Sequence, residues 1–357
     1  MYNNYLMSKV EIRKNVPLAP YTVLGVGGPA EFFAEASNAD ELIDLLKNTD
    51  QEVTLLGYGS NTLVSDNGVK GLVICAKGGQ IKFSGNAAVV GSGAKWDDVV
   101  LSSVEKGLWG AELMSEIPGS VGAAIYINIT AYGQSIGPLV EWVDTWDKDT
   151  KQIKRIEKSE LVWDYKSSIF QSPENSNLVI IQAKLSFSNV KTTDLEYQRA
   201  IDVADELLLD VNSLYGRREI ITEARRRTGS ILDANDQERK RTVGSFFRNP
   251  IVTEEQADLV MSHDETGKTK KQIELMNQVH GGSSKRVSAA HVMLAAGFKR
   301  GQSWGNVKLN DQNLLKIEAN EQATASEIHH VIMHIKKVCS EKLGITIEPE
   351  AKIIGEF

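Results

Sequence analysis

The feature that most constrains this chain is the stretch 117–137, IPGSVGAAIYINITAYGQSIG, with four glycines, three alanines and no charge in 21 residues. Backbone this bare of side chains serves either as a linker or where the main chain must approach something closely. A linker would be polar, whereas Ile117, Val121, Ile125, Tyr126, Ile127 and Ile129 offer apolar side chains whose burial fixes a conformation. Close approach gathers backbone N–H groups at one place, which suits an anion and above all a phosphate. Glycine-rich turns recur in many folds, so a second such loop carries weight. Residues 57–66, GYGSNTLVSD, supply it directly after the short apolar run Val53–Leu56. This loop is no dinucleotide fingerprint, because the third glycine is missing and Leu72, Val73 and Ile74 resume a strand with no helix between. It also lacks the Gly-Lys-Ser/Thr of a Walker loop. Alone, it reads equally well as a hairpin turn.

A chain of 357 residues implies two or three domains with ample core. With 41% hydrophobic and 24% charged residues and a formal net charge of −7, the composition is globular and acidic, which argues against nucleic acid or an anionic membrane as partner. No apolar run reaches the ~18 residues that span a bilayer. The start, MYNNYLMSKVEIRKN, has no apolar core of a signal peptide, so a cytoplasmic setting is expected. Cys75 and Cys339 lie far apart in apolar surroundings and read as buried free thiols. The six histidines form no metal-ligand spacing; His329, His330 and His334 read as helix surface, and no metal is expected.

Along the chain, 21–36 is β-like, and Ser37 or Asn38 caps a helix over Ala39–Lys47. Residues 82–93 are β-rich and 96–107 show helical spacing. Val140–Asp147 and 152–156 read as a hairpin and 178–187 as a long strand. Residues 194–209 are helical in part, and 215–227 form a basic amphipathic helix whose Arg225-Arg226-Arg227 reads as a solvated face. A helix over 287–296, short strands at 304–309 and 314–317, a long helix over Ala325–Leu343 and a closing strand over 345–355 complete the pattern.

Five motifs stand in order: the 57–66 loop, IPGSVGAA…N…AYG within 117–133, YKSSIF at 165–170, GSFFRNP at 244–250 and IEPEAKIIG at 347–355. Together they resemble the UDP-N-acetylenolpyruvoylglucosamine reductase family, over nearly the whole chain. The resemblance implies an α+β fold: a two-subdomain FAD-binding region of the vanillyl-alcohol-oxidase (PCMH) type, at 1–80 and 81–215, then an α+β substrate-binding domain at 216–357 whose closing strand returns to the flavin. It further implies noncovalent FAD contacted by Gly57, Tyr58, Gly59, Ser60, Asn61, Thr62 and Leu63, and by Ile117, Pro118, Gly119, Ser120, Gly122, Ala123, Asn128, Ala131 and Gly133. NADPH is the implied reductant and UDP-N-acetylenolpyruvoylglucosamine the implied substrate.

In that chemistry, hydride reaches the vinyl carbon of an enolpyruvyl ether and negative charge spreads from the adjacent carbon into the carboxylate. The charge needs a cation or donor, and the carbon needs a proton. By resemblance Ser245 gives the proton, Glu350 polarises or protonates the intermediate, and Lys166 stands where an arginine is usual. Tyr165, Arg248 and Asn249 match substrate-binding positions, and Tyr197 resembles a tyrosine that covers the diphosphate. Without the motif, Ser245 reads as a turn hydroxyl and Glu350 as an exposed acid. The chain also departs from the family pattern at Ala123, Ile127, Thr130, Thr228 (near a usual lysine) and Ala290-His291-Val292. Two further readings stay open: a FAD- or UDP-sugar-binding relative without turnover, and a flavin oxidase of the same superfamily. Ser245, Asn249 and Glu350 together argue against both.

Overall fold

The computed structural model describes residues 10–231, 241–263 and 285–357. The first unit runs β1 (Arg13–Pro17), β2 (Pro29–Ala36), α1 (Ala39–Lys47), β3 (Val53–Leu56), β4 (Thr62–Val64) and β5 (Val69–Ala76). Its sheet has the order β1-β2-β5-β3, with β2, β5 and β3 parallel and β1 antiparallel. β5 reads VKGLVICA and is buried along nearly its whole length, as a parallel strand covered on both faces must be. The helix α1 forms where its cap and charges favour it: Asn38 accepts the Glu41 N–H at 3.0 Å, with Asp40 and Glu41 in the first turn and Lys47 in the last. Its Leu42, Leu45 and Leu46 share a core with Leu72 and Ile74.

The second unit contains β6 (Ile81–Ser84), β7 (Ala87–Gly91), α2 (Trp96–Glu105), α3 (Val121–Tyr126), β8 (Val140–Asp147), β9 (Gln152–Glu157) and β10 (Leu178–Ser186). The sheet is antiparallel throughout, in the order β9-β8-β10-β7-β6. Trp146, Val179 and Ile181 from this sheet enter the core under α1, so the two sheets are packed through one helix. Two helices follow, α4 (Gln198–Leu207) and α5 (Leu214–Arg227), whose Ala200, Val203, Ile220 and Ala224 close around Leu113.

Among the described residues, the later elements include α6 (Glu254–Ser262), α7 (Ala289–Ala295), β11 (Ser303–Trp304), β12 (Val307–Leu309), β13 (Ile317–Ala319), α8 (Ala325–Leu343) and β14 (Lys352–Ile354). Phe246, Phe247, Val292, Met293, Ile332 and Ile335 form their core, which extends to Leu24 and Leu63 of the first unit. A Thr324/Glu327 capping box starts α8, and Gly344, at φ +64, ends it.

Three stretches differ from the sequence expectation. The 21–36 region becomes strand only at Pro29, after a 3-10 turn over Ala19–Tyr21. Leu314 and Leu315 lie in a turn, closed by the Lys316 N–H to Asn313 O at 3.0 Å, and the strand begins at Ile317. The closing stretch is strand only over Lys352–Ile354; before it, Pro349 makes an isolated antiparallel bridge with Phe247.

That last strand, β14, returns to the beginning. It pairs parallel with β4, Lys352 opposite Thr62, Ile353 opposite Leu63 and Ile354 opposite Val64. Asp66, just beyond β4, reaches the start of α8, where its carboxylate accepts the Ala325 N–H at 3.0 Å, the Ser326 N–H at 2.8 Å and the Ser326 hydroxyl at 2.7 Å. The helix thus has its first donors satisfied from a distant segment. Burial alone would raise the Asp66 carboxyl, but the Ser326 hydroxyl and the two N–H groups outweigh it and hold it below the usual aspartate value. A lowered folded value means the contribution is complete above the ordinary carboxylate range and fades as pH falls through the folded one. Asp66→Ala is therefore expected to cost about 1 kcal/mol in urea unfolding near neutral pH. The gap from wild type should close in acid; a gap that stays constant there contradicts the assignment.

Candidate active site

The two glycine-rich loops meet. The Ser60 hydroxyl donates to Pro118 O at 3.1 Å; a Cβ on Gly57 would stand 3.1 Å from Ser120 Oγ, and one on Gly119 would stand 3.2 Å from Ser60 Oγ. Gly59, Gly119 and Ser120 are buried, yet among the described residues nothing accepts their backbone N–H groups, nor those of Tyr58 and Ser60. Buried donors without acceptors are rare in folded proteins, and a diphosphate supplies what these lack. On that ground the loops fit an anionic cofactor.

Some of these glycines are also required by the chain's own packing. Gly59, at φ +61, would set a Cβ 2.1 Å from Tyr21 O, and Gly122 would set one 2.9 Å from the Ser92 Cβ. Both are needed by the chain's own packing. Leu63 is wholly buried in the core, and Ala123 is exposed on α3, whose Ser120 cap accepts the Ala123 N–H at 3.3 Å. Ala131 and Gly133 lie in the small hairpin of Thr130–Ala131 and Gln134–Ser135, where Tyr132 and Gly133 both take positive φ, +48 and +86.

A second cluster forms next to Glu350. Lys166 occupies the loop between Trp163–Asp164 and Ser167–Ser168 at φ +53, and its Nζ lies 3.2 Å from Glu350 Oε1. Their side chains are only 18% and 13% exposed, so Glu350 is no loose surface acid. Asn128 braces this loop: its amide donates to Asp164 O at 2.9 Å and accepts the Gly137 N–H at 3.1 Å. The Asn128 side chain therefore positions Lys166's hairpin. Glu350 is fixed from behind by the GSFF segment, with the Glu350 N–H on Phe246 O at 2.7 Å and the Arg248 N–H on Glu348 O at 2.8 Å. Phe246 and Phe247 are buried beneath, and the same segment bridges Lys316, leaving Ser245 exposed. Asn61 joins the loop to the cluster, its amide donating to Glu350 O at 3.3 Å and its carbonyl accepting the Lys352 N–H at 3.0 Å.

Asn249 and Tyr165 are also brought together, the amide donating to the Tyr165 hydroxyl at 2.9 Å while Asn249 Oδ1 accepts the Ala289 N–H at 3.0 Å. Burial, and after it the charge of Glu350, push the Tyr165 hydroxyl up to about 12. Arg248 donates to Gln171 Oε1 at 3.2 Å, and its buried Nε has no acceptor among the described residues. Tyr197 stands elsewhere: at the start of α4 its ring packs edge-on against Tyr132, with centroids 5.4 Å apart. A cavity of about 370 Å³ lined by Arg199, Asp202, Val203, Arg227, Thr228 and Gln312 shares no lining residue with the Lys166 cluster.

Some contributors escaped the sequence reading. Gln171 holds Lys166 O at 3.1 Å, and Arg286 lies over the Tyr165 ring at 4.4 Å. Arg225, taken as solvated, instead turns inward and donates to Glu116 O at 3.2 Å and Ser230 O at 3.2 Å. A lone Gln or Arg carries no spacing signal, and only the fold brings these to the site.

Residues 236–354 match the family model described as UDP-N-acetylenolpyruvoylglucosamine reductase, C-terminal domain, and residues 30–154 match an FAD binding domain. Fold, loops and these matches define an FAD-dependent oxidoreductase. Proteins named UDP-N-acetylenolpyruvoylglucosamine reductase are 30% identical in Thermobifida fusca, over 96% of this chain and 98% of that protein, and 30% identical in Cutibacterium acnes, over 96% and 90%. The chain belongs to the UDP-N-acetylenolpyruvoylglucosamine reductase family. The solved reductase structure from Thermus caldophilus shares the fold, with a TM-score of 0.64 at 21% identity over 97% of this chain and 99% of that one.

Gly59→Ala tests the packing account of that loop. The flavin-free protein is expected to lose more than about 1 kcal/mol of stability, because a Cβ at this positive φ meets backbone. Unchanged apoprotein stability with lost FAD would return Gly59 to the phosphate alone.

Proposed function

We propose that this chain reduces UDP-N-acetylenolpyruvoylglucosamine to UDP-N-acetylmuramate with NADPH as reductant, as a cytoplasmic step toward peptidoglycan. The observation that supports the reading is the Lys166–Glu350 ion pair, which Asn61 ties to the Gly57 loop and which the GSFF segment, carrying Ser245, abuts through the Glu350 N–H on Phe246 O. Bound FAD supplies hydride transfer from NADPH to the vinyl carbon. The protein's own part is to hold the enolpyruvyl carboxylate, stabilise the charge that develops there and deliver a proton.

Lys166 is the cation within reach of such a carboxylate, and Glu350 orients its ammonium. Arg248, with an open Nε, is a second donor nearby. An arginine would grip the carboxylate plane through a fixed fork; a lysine supplies the charge with less geometric control. Ser245 is a weak acid, so its use as proton donor rests on position: Phe246 and Phe247 are buried and the strand contacts on both sides fix its backbone. Asn249 and Tyr165 shape the wall beside it. The open cavity at Thr228, lined also by Arg199 and Arg227, gives room for the nucleotide end.

Ser245→Ala is expected to leave reduction of the flavin by NADPH nearly unchanged while slowing its reoxidation by the enolpyruvyl substrate by about 10²–10⁴-fold. Reoxidation at the wild-type rate would make Ser245 a turn residue. Lys166→Met should slow the same half-reaction by about 10²–10³-fold, and Lys166→Arg should retain activity. Because removing Lys166 also leaves Glu350 without its partner, the Lys166→Met/Glu350→Gln double variant is the control. Full recovery in the double variant would show that Lys166 only neutralises Glu350.

A further inference from the structure

Glu116 stands immediately before the Ile117 loop in a left-handed conformation, φ +59. Such a φ is uncommon for a residue with a side chain and persists only where its surroundings impose it. Here they do. The Glu116 N–H donates to Asp97 Oδ1 at 2.6 Å, and Asp97 lies in the first turn of α2. The same helix start grips the loop further on, through the Trp96 N–H to Gly119 O at 3.0 Å. The arrangement fixes the loop backbone, but it also places two carboxylates beside a cradle read as holding a diphosphate. That is the wrong sign for the ligand.

Arg218 on α5 answers both carboxylates. Its NH1 and NH2 donate to Asp97 Oδ1 and Oδ2 at 2.8 and 2.7 Å, a two-point fork, and NH2 also donates to Glu116 Oε1 at 3.2 Å. The side chains of Arg218, Asp97 and Glu116 are 14%, 14% and 29% exposed, so solvent screens this triad only in part.

We propose that Arg218 is the charge-compensating positioning residue of the FAD-diphosphate loop: it lets Asp97 and Glu116 shape the backbone at 116–119 without repelling the anion that the loop binds. The proposal rests on the reading that residues 117–122 face the FAD diphosphate. Among the described residues, the other charged groups facing the triad are Lys95 and Arg225, which add positive charge, and Glu105, which adds negative charge. Arg225 is bonded to the Glu116 carbonyl and not to its carboxylate, so it does not replace Arg218. Burial and the neighbouring Asp97 hold the Glu116 carboxyl above the usual glutamate value. For Asp97, burial pushes up but the Arg218 hydrogen bonds prevail and hold it down. With Arg218 removed, Glu116 is the acid that takes a proton first as pH falls, and protonation there removes one of the two repelling charges.

The test is FAD titration of flavin-free protein, followed by flavin fluorescence, across salt and pH. Arg218→Met is expected to weaken FAD binding roughly tenfold at low salt near about pH 8. The deficit should shrink with added salt and as pH is lowered toward about 5.5, and Arg218→Met/Glu116→Gln should return to within about threefold of wild type. Glu116→Gln alone keeps the Arg218–Asp97 fork and should tighten binding a few-fold at low salt; it carries the test if Arg218→Met does not fold. A loss in Arg218→Met that is equal at every pH and salt, and not rescued by Glu116→Gln, is a packing effect and overturns the proposal, as does weaker binding in Glu116→Gln. Gly119→Val separates the two readings. If it loses FAD while Arg218→Met binds as wild type, the loop assignment stands and charge compensation falls; if neither variant changes FAD binding, the loop assignment falls and the proposal with it.

Discussion

The parallel ladder joining Lys352–Ile354 to Thr62–Val64 brings the last strand of the chain against the strand that leaves the first glycine-rich loop. Register matters here because side chains alternate along a strand, so a slip of one residue would turn Glu350 away from Lys166. The Ser65 N–H to Ile354 O at 2.8 Å and the Asn61 contacts to Glu350 O and the Lys352 N–H, on either side of Ala351, pin that register. The GSFF segment is then aligned by the same residues, through Phe246 O and Glu348 O. Three sequence-distant motifs thus share a single structural cause.

Charge holds the other side together. α5 presents Arg217, Arg218 and Arg225 to the segment that runs into the second loop. Arg217 meets Glu112 at 3.0 Å with both side chains almost fully buried, 1% and 0% exposed, and it also donates to Thr193 O at 2.6 Å and Val211 O at 2.7 Å. Glu112 in turn accepts the Gly110 N–H at 2.8 Å. A buried pair satisfied this fully is costly to break by removing one partner, on the order of 3–5 kcal/mol, although its net contribution to stability is small. Its effect is to specify where α5 sits, and with it the loop that follows Glu116.

Much of the fold was legible because its signals are local. Asn38, one of the two caps the sequence offers, starts α1 at its observed end, and the long helix over Ala325–Leu343 has the expected bounds. The strand resumed at 72–74 likewise follows from burial on both faces, whereas 53–56 is an edge strand in which only Leu56 is buried. The motifs indicated which residues to watch, but not why each is there. Gly59 and Gly122 read as ligand glycines, and the fold adds a packing reason for each, since a Cβ there would meet Tyr21 O or Ser92. Asn128 read as a cofactor contact, and the fold adds that its amide braces the Lys166 hairpin. Arg225 read as solvated, and its burial depends on contacts across more than a hundred residues that no periodicity encodes. The Lys166–Glu350 pair was visible only as two separate motifs.

The central claim is that one site joins the flavin to a substrate carboxylate and a proton donor. Anaerobic stopped-flow of the purified wild-type protein tests it most directly. NADPH should bleach the flavin absorbance, and UDP-N-acetylenolpyruvoylglucosamine added to the reduced protein should restore it with formation of UDP-N-acetylmuramate. A flavin that NADPH reduces but this substrate leaves bleached would contradict the account.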